Sequence, residues 1–160
     1  MTGVFAGADE TADVFARLEG ARLALTDPVA AEGAVKDALA AAPDDFFARL
    51  AAYKFYFYNH RLAEALPHAA FLVALVARRL NVASDWRAVK PGDAAFEALE
   101  EAPSLYLQAL LAWGYCKARL GERAEGAQAI AKVAELDPRD RFGARRLLAV
   151  VTKPGPSEED

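Results

Sequence analysis

Alanine is the residue that most constrains the fold of this chain. It occupies 38 of the 160 positions, whereas valine, isoleucine and threonine together occupy 16. Alanine loses no side-chain rotamer entropy in a helix, and the β-branched residues that favour strands are scarce. A chain of this length can bury a core of its own. The composition therefore predicts an all-helical protein.

The charge balance and the few metal-binding side chains argue against several functions. With 19 basic and 23 acidic side chains, the chain lacks the basic excess that neutralises nucleic-acid phosphates. Its single cysteine, Cys116, cannot form an internal disulfide, and together with two histidines it makes a poor set of metal ligands. We expect no nucleic-acid partner, no metal and no other cofactor.

The apolar runs of the sequence predict a cytoplasmic protein. Residues 1–10 lack a basic stretch followed by an apolar stretch, so no signal peptide is expected. The longest uninterrupted apolar run, Ala69 to Ala77, has nine residues. A bilayer span needs about 20 residues. We therefore expect no membrane contact.

Capping and breaking residues divide the sequence into helices. Asp27 before Pro28 is typical of a helix start, and Gly121 is expected to separate two helices. The segment 81–93 predicts a connector with one turn around Trp86, and the polar tail from 153 predicts disorder. The predicted helices cover about 10–25, 28–41, 44–59, 62–80, 93–101, 103–120, 122–136 and 139–151.

The predicted helices come in pairs, and the pairs repeat. Ala38 follows Ala31 by seven residues, and Pro43 follows Ala38 by five. Val133 and Pro138 follow Gly126 with the same two separations. Ala65 follows Ala31 by 34 residues, and Gly126 follows Ala65 by 61, which is 34 plus an insertion of 27. Small residues let two helices approach closely, and proline ends the second helix of a pair.

These repeats resemble the tetratricopeptide repeat (TPR) family. The best match runs from Trp113 to Pro138: a small residue follows the bulky one at Trp113-Gly114, Gly121 makes the turn, and Leu-Asp-Pro closes the unit. The second unit departs from the pattern, because Ala77 stands where the closing proline belongs. The predicted organisation is a single domain over 1–152, with repeats at 12–45, 46–79 and 107–140, an insertion at 80–106, a capping helix at 141–152 and a disordered tail at 153–160.

The resemblance implies a right-handed superhelix of antiparallel helix pairs, whose concave groove is lined by the first helix of each pair. Proteins of this family generally bind peptides or helices of other proteins and have no chemistry of their own. The repeat geometry implies a partner-binding groove formed by Phe47, Lys54, Phe57, Tyr58, Gln108, Tyr115 and Arg119. The other interpretation assigns the seven aromatic residues of 46–58 to the core. In the groove interpretation, Tyr53 and Tyr56 face packing neighbours.

Other candidate sites have simpler structural interpretations. His60 and His68 are separated by Pro67 and a predicted turn, so we expect no metal pair. Cys116 lacks the local signature of a nucleophile and is expected to be a buried thiol. Glu97, Glu100 and Glu101 are expected on a solvated face, and no glycine-rich phosphate loop is present in the sequence.

Trp86 lies in the insertion, where large apolar side chains are seldom left unpacked. One interpretation has Trp86 plug the join between repeats two and three. The alternatives make the inserted segment a lid over the groove or a dimer contact.

The sequence predicts a protein–protein interaction module, an adaptor or assembly chaperone, and not an enzyme. Its partner is expected to be another protein or peptide. One alternative is an accessory factor for metalloenzyme assembly, because the run Phe-Tyr-Phe-Tyr-Asn-His-Arg at 55–61 resembles short bacterial TPR proteins, some of them linked to nitrogen fixation. Another is a structural protein that self-associates, as a homodimer for example.

Overall fold

The computed structural model describes residues 27–153, and all regular secondary structure in this range is helical. The chain divides into two compact units, Met1–Arg61 and Leu62–Asp160. The boundary falls inside the second predicted repeat. The helices are α1 (Pro28–Ala41), α2 (Phe46–Tyr58), α3 (Leu62–Leu80), α4 (Glu101–Arg119), α5 (Arg123–Leu136) and α6 (Ala144–Thr152), with 3-10 turns at Trp86–Ala88 and Pro91–Asp93.

The first unit contains α1 and α2, and an aspartate caps each helix. The Asp27 carboxylate accepts hydrogen bonds from the first backbone N–H groups of α1, and Asp45 accepts one from Ala48 at 3.0 Å. Ala38 and Ala48 are fully buried in a shared apolar cluster. Small side chains at these positions let the two helices pack closely.

The second unit packs α3, α4, α5 and α6 so that each helix contacts the next along the chain. The contact between α4 and α5 is close. A Cβ on Gly126 would lie 2.6 Å from the backbone nitrogen of Ala118, and a Cβ on Gly114 would lie 2.9 Å from the carbonyl oxygen of Gly126. The expected role of a small residue at position 126, close helix approach, is confirmed.

Two predicted helices differ from the structure. The helix predicted at 93–101 is absent, and residues 94–100 form no helix, because Asp93 folds back to accept a hydrogen bond from the Lys90 backbone at 2.9 Å and closes a 3-10 turn. The last helix begins at Ala144 rather than near 139, since Asp140 and Gly143 both adopt positive φ. The predicted helix at 10–25 and the tail from 154 lie outside the described residues.

No helix between residues 27 and 153 is long and apolar enough to cross a membrane.

Candidate partner-binding surfaces

One side of α2 presents aromatic rings at the surface. Tyr58 is 68% exposed and Phe47 is 37% exposed, whereas Tyr53 and Tyr56 are buried. Lys54 is exposed and Phe57 is half-buried. The burial predicted for Tyr53 and Tyr56 is confirmed. We call Phe47, Lys54, Phe57 and Tyr58 the aromatic face.

The rings of the aromatic face rest on packed rings behind them. The Phe57 ring lies 5.9 Å from that of Tyr53 and meets Tyr58 edge to face at 5.4 Å. Such edge-to-face contacts add to the energy of apolar burial and fix ring orientation. The exposed rings are therefore supported by neighbouring side chains.

A three-residue cluster fixes the buried side of α2 to α1. The Tyr56 hydroxyl donates to Glu32 at 2.9 Å, and the Arg61 guanidinium makes two hydrogen bonds to the same carboxylate, at 2.7 and 3.0 Å. Arg61, and then Tyr56, lowers the pKa of Glu32 to about 2. Glu32 and Arg61 are 29 residues apart, so no local sequence signal could have paired them.

The other predicted groove residues lie in the second unit. Gln108 and Tyr115 on α4 are half-buried, and Arg119 is exposed near the end of that helix. The structure thus groups the seven predicted residues into two sets, one in each unit. A groove common to both sets remains a prediction.

The inserted segment packs onto the second unit. Trp86 is buried and meets Trp113 of α4 edge to face at 5.8 Å, so it is packed as expected, while its role at the join between repeats two and three stays a prediction. Arg87 stacks over the Trp86 ring at 4.3 Å and pairs with Glu125 at 2.7 Å. Beyond it, the Lys132 ammonium donates to the Val89 carbonyl at 2.8 Å. The segment is therefore fixed to α4 and α5.

Glu125 also links this cluster to Lys117. Lys117 pairs with Glu122 and with Glu125, the latter at 3.1 Å, and lies over the Trp113 ring. Glu122 and then Glu125 raise the pKa of Lys117, while Arg87 and then Lys117 lower the pKa of Glu125. These shifts come from ion pairing, which favours the charged forms of Lys117 and Glu125.

A pocket lies where the end of α4, the turn after it and the end of α6 meet. Its volume is about 540 Å³. Three cationic side chains and two valines contribute to its lining, which includes Arg119, Arg123, Val150, Val151 and Lys153. The sequence carried little signal for it, because residues 119–123 and 150–153 are brought together only by the packing of α6.

The candidates for chemistry belong to different units, His60 to the first and Cys116 to the second. Among residues 27–153 no group of three or more His, Cys, Asp or Glu side chains is placed to hold a metal ion. His60 is exposed and adopts a positive φ in the turn that follows α2. Cys116 is fully buried, and burial raises the pKa of its thiol to about 11. At neutral pH this thiol is therefore protonated and a weak nucleophile.

Over residues 27–153, the fold and these surfaces define an all-helical protein that exposes an aromatic face and a cationic pocket. The chain is 38% identical over 125 residues to the uncharacterized 19.8 kDa protein in the nifW 5′ region of Azotobacter chroococcum mcd 1, and this alignment covers 77% of the chain and 70% of the relative. The chain belongs to the same family as that protein. No protein-family model and no solved structure matches it.

Proposed function

We propose that this protein is a TPR-like helical-repeat protein that acts as an adaptor or assembly chaperone. It holds a peptide or helix of a partner protein against the aromatic face of α2. The observation that carries the proposal is the exposure of Tyr58, 68%, and of Phe47, 37%, next to the buried Tyr53 and Tyr56.

Aromatic side chains are effective anchors for a partner. Each ring supplies a large apolar area and loses little conformational entropy when it is covered. Lys54, exposed one helical turn before Tyr58, adds a positive charge beside the rings. The face therefore suits a partner segment that carries apolar side chains and at least one carboxylate.

The arrangement of α4 and α5 supports the repeat assignment. Gly114 and Gly126 make the close approach at two positions where the resemblance implies small residues. Gly121 turns the chain between the two helices with a φ of 106°. Pro138 follows the end of α5, as the closing proline of a TPR unit does.

The relative's description suggests the biological setting. Its gene lies in the 5′ region of a nif gene, and this chain is 38% identical to its product. We therefore place the partner among the proteins that assemble or maintain a nitrogen-fixation metalloenzyme. In this proposal the chain supplies a binding surface and takes no part in the metal chemistry.

An affinity capture tests both parts of the proposal. The tagged protein is incubated with extracts of its native host, grown under nitrogen limitation or with ammonium. We expect a specific partner, a component of metalloenzyme assembly, to be retained from the nitrogen-limited cells. Phe57→Ala/Tyr58→Ala is expected to lose it, because the rings of the aromatic face are its anchors.

Two further variants control for loss of folding. Tyr58→Ala changes only a mostly exposed side chain, so it is expected to keep the wild-type melting temperature and still bind less partner. Val29→Ala removes an 82% exposed apolar side chain from α1 and is expected to bind normally. Equal capture by wild type and both Tyr58 variants contradicts the binding role of the aromatic face, and a partner unrelated to metalloenzyme assembly contradicts the setting.

A further inference from the structure

The cationic pocket of the second unit has an aliphatic wall. Val150 is 58% exposed and lies next to Val151, which also lines the pocket. Arg119 and Lys153 are exposed lining residues, and among residues 27–153 no acidic side chain lines the pocket. Such a pocket suits an aliphatic side chain flanked by carboxylates.

The same unit presents a group of that chemistry at another place. Leu99 is 86% exposed, more than any other large apolar residue among the described residues. Glu100 and Glu101 follow it and are exposed. The carboxylate of Glu97, which precedes Leu99, already lies 3.6 Å from the Arg139 guanidinium. The negative charge beside Leu99 therefore comes mainly from Glu100 and Glu101. We call Leu99, Glu100 and Glu101 the leucine edge.

The pocket and the leucine edge lie at opposite ends of α4. The leucine edge includes the first residue of this 19-residue helix, and Arg119 is its last residue. At 1.5 Å per residue the helix is about 28 Å long. Within one copy of the second unit, the edge is therefore too far from the pocket to enter it.

We propose that the leucine edge of one copy of this protein occupies the cationic pocket of a second copy. Leu99 contacts Val150 and Val151, while Glu100 and Glu101 face Arg119 and Lys153. This contact uses two different surfaces, so a pair of copies leaves one pocket and one edge unoccupied, and association can continue head to tail. The proposal is independent of the aromatic face.

A second copy fits these observations better than a nucleic acid does. The chain has a net charge of −4, which opposes binding to a polyanion away from the pocket. The valine wall is matched by an aliphatic side chain and not by a phosphate. Both complementary groups occur on the same chain, so each copy brings an edge for every pocket.

Sedimentation equilibrium of the purified full chain tests the proposal. We expect the average mass to rise above the 17.2 kDa of the monomer as concentration increases. The contact is small, so its dissociation constant is expected in the micromolar range or weaker. Because charge complementarity contributes, association should weaken as salt rises. A chain that stays monomeric at every concentration overturns the proposal.

Mixing two variants makes the test specific. Leu99→Ser removes the apolar side chain of the leucine edge, and Arg119→Glu/Lys153→Glu replaces two positive charges of the pocket with negative ones. All three side chains are exposed, and circular dichroism checks that both variants fold. For each variant alone, the dissociation constant for self-association is expected to be about tenfold higher or more. Their equimolar mixture should form pairs, because one variant keeps the pocket and the other keeps the edge.

Three results contradict the proposal. In the first, the mixture stays monomeric. In the second, Val29→Ser weakens association as much as Leu99→Ser does, although it changes an exposed apolar residue of the first unit. In the third, association appears only after removal of residues 154–160, which include three acidic side chains; that result makes this segment, and not a second copy, the occupant of the pocket.

Discussion

The hydroxyl group of Tyr106 is buried without a hydrogen-bond partner among the described residues. The ring is fully buried on α4, with its centroid 5.7 Å from that of Phe96 in the inserted segment. Burial, and then the charge of Asp85, raises the pKa of this phenol to about 12. A buried polar group without a partner costs about 1–3 kcal/mol. Tyr106 therefore contributes apolar packing to the core while its hydroxyl opposes folding.

Replacing this tyrosine should stabilise the protein. We expect Tyr106→Phe to raise the free energy of unfolding by about 1 kcal/mol, measured by urea denaturation at pH 7. Because the folded-state pKa is raised, ionisation of Tyr106 lowers the stability of the wild type only as pH rises from 10 towards 12. The variant should lack this pH dependence. Tyr58→Phe, at an exposed position, is the control. A clear loss of stability in Tyr106→Phe contradicts the account.

Among the secondary-structure elements, the first unit depends on the carboxylate that connects α1 to α2. Glu32 is hydrogen-bonded to Tyr56 and to Arg61, which together hold its pKa at about 2, below the ordinary value of 4.5. A lowered carboxyl pKa gives stability that is complete above the unfolded-state value and is lost as pH falls towards the folded-state value.

Acid unfolding tests this connection. Wild-type stability is expected to fall between about pH 4.5 and pH 2, and Glu32→Gln should show a smaller fall over that range because it cannot be protonated. The measurement is urea denaturation at a series of pH values, with Asp44→Asn, an exposed carboxyl, as the control. A Glu32→Gln profile parallel to that of wild type contradicts the role of Glu32.

The contact between α4 and α5 depends on Gly126. We expect Gly126→Ala to lower the free energy of unfolding by about 1–3 kcal/mol, because the new methyl group meets the backbone of α4. Gly33→Ala is the matched control: apart from its neighbours within α1, no atom of residues 27–153 lies within 4 Å of the added Cβ, and alanine favours the helix by about 0.8–1 kcal/mol. Thermal unfolding of both variants should show opposite signs. A stabilising Gly126→Ala excludes the close contact.

The sequence was most informative where a local residue determines the backbone. Pro28 and the aspartate before it gave the start of α1, and the bounds of α1 and α3 match the predicted ones. It failed at 93–101, where Asp93 caps a 3-10 turn, and at 139–143, where the buried Asp137 accepts hydrogen bonds from the Arg141 side chain and the Phe142 backbone. These bonds fix short turns that helical periodicity does not reveal.

At the scale of the whole molecule, the groove interpretation predicted the burial of Tyr53 and Tyr56 but not the contacts that hold them. Tyr53 and Tyr56 were expected inside because the repeat pattern orients α2. The carboxylate that Tyr56 and Arg61 share, and the cationic pocket between α4 and α6, both join distant parts of the sequence. One sequence read by local pattern contains no information on such pairings.

The central claim is that the aromatic face is where a partner protein binds. Its most direct test is a binding titration of the partner captured from nitrogen-limited cells against wild type, Tyr58→Ala and Val29→Ala. The account predicts that Tyr58→Ala raises the dissociation constant about tenfold or more, as loss of an aromatic anchor does, while Val29→Ala binds like wild type. Equal dissociation constants for wild type and Tyr58→Ala would contradict it.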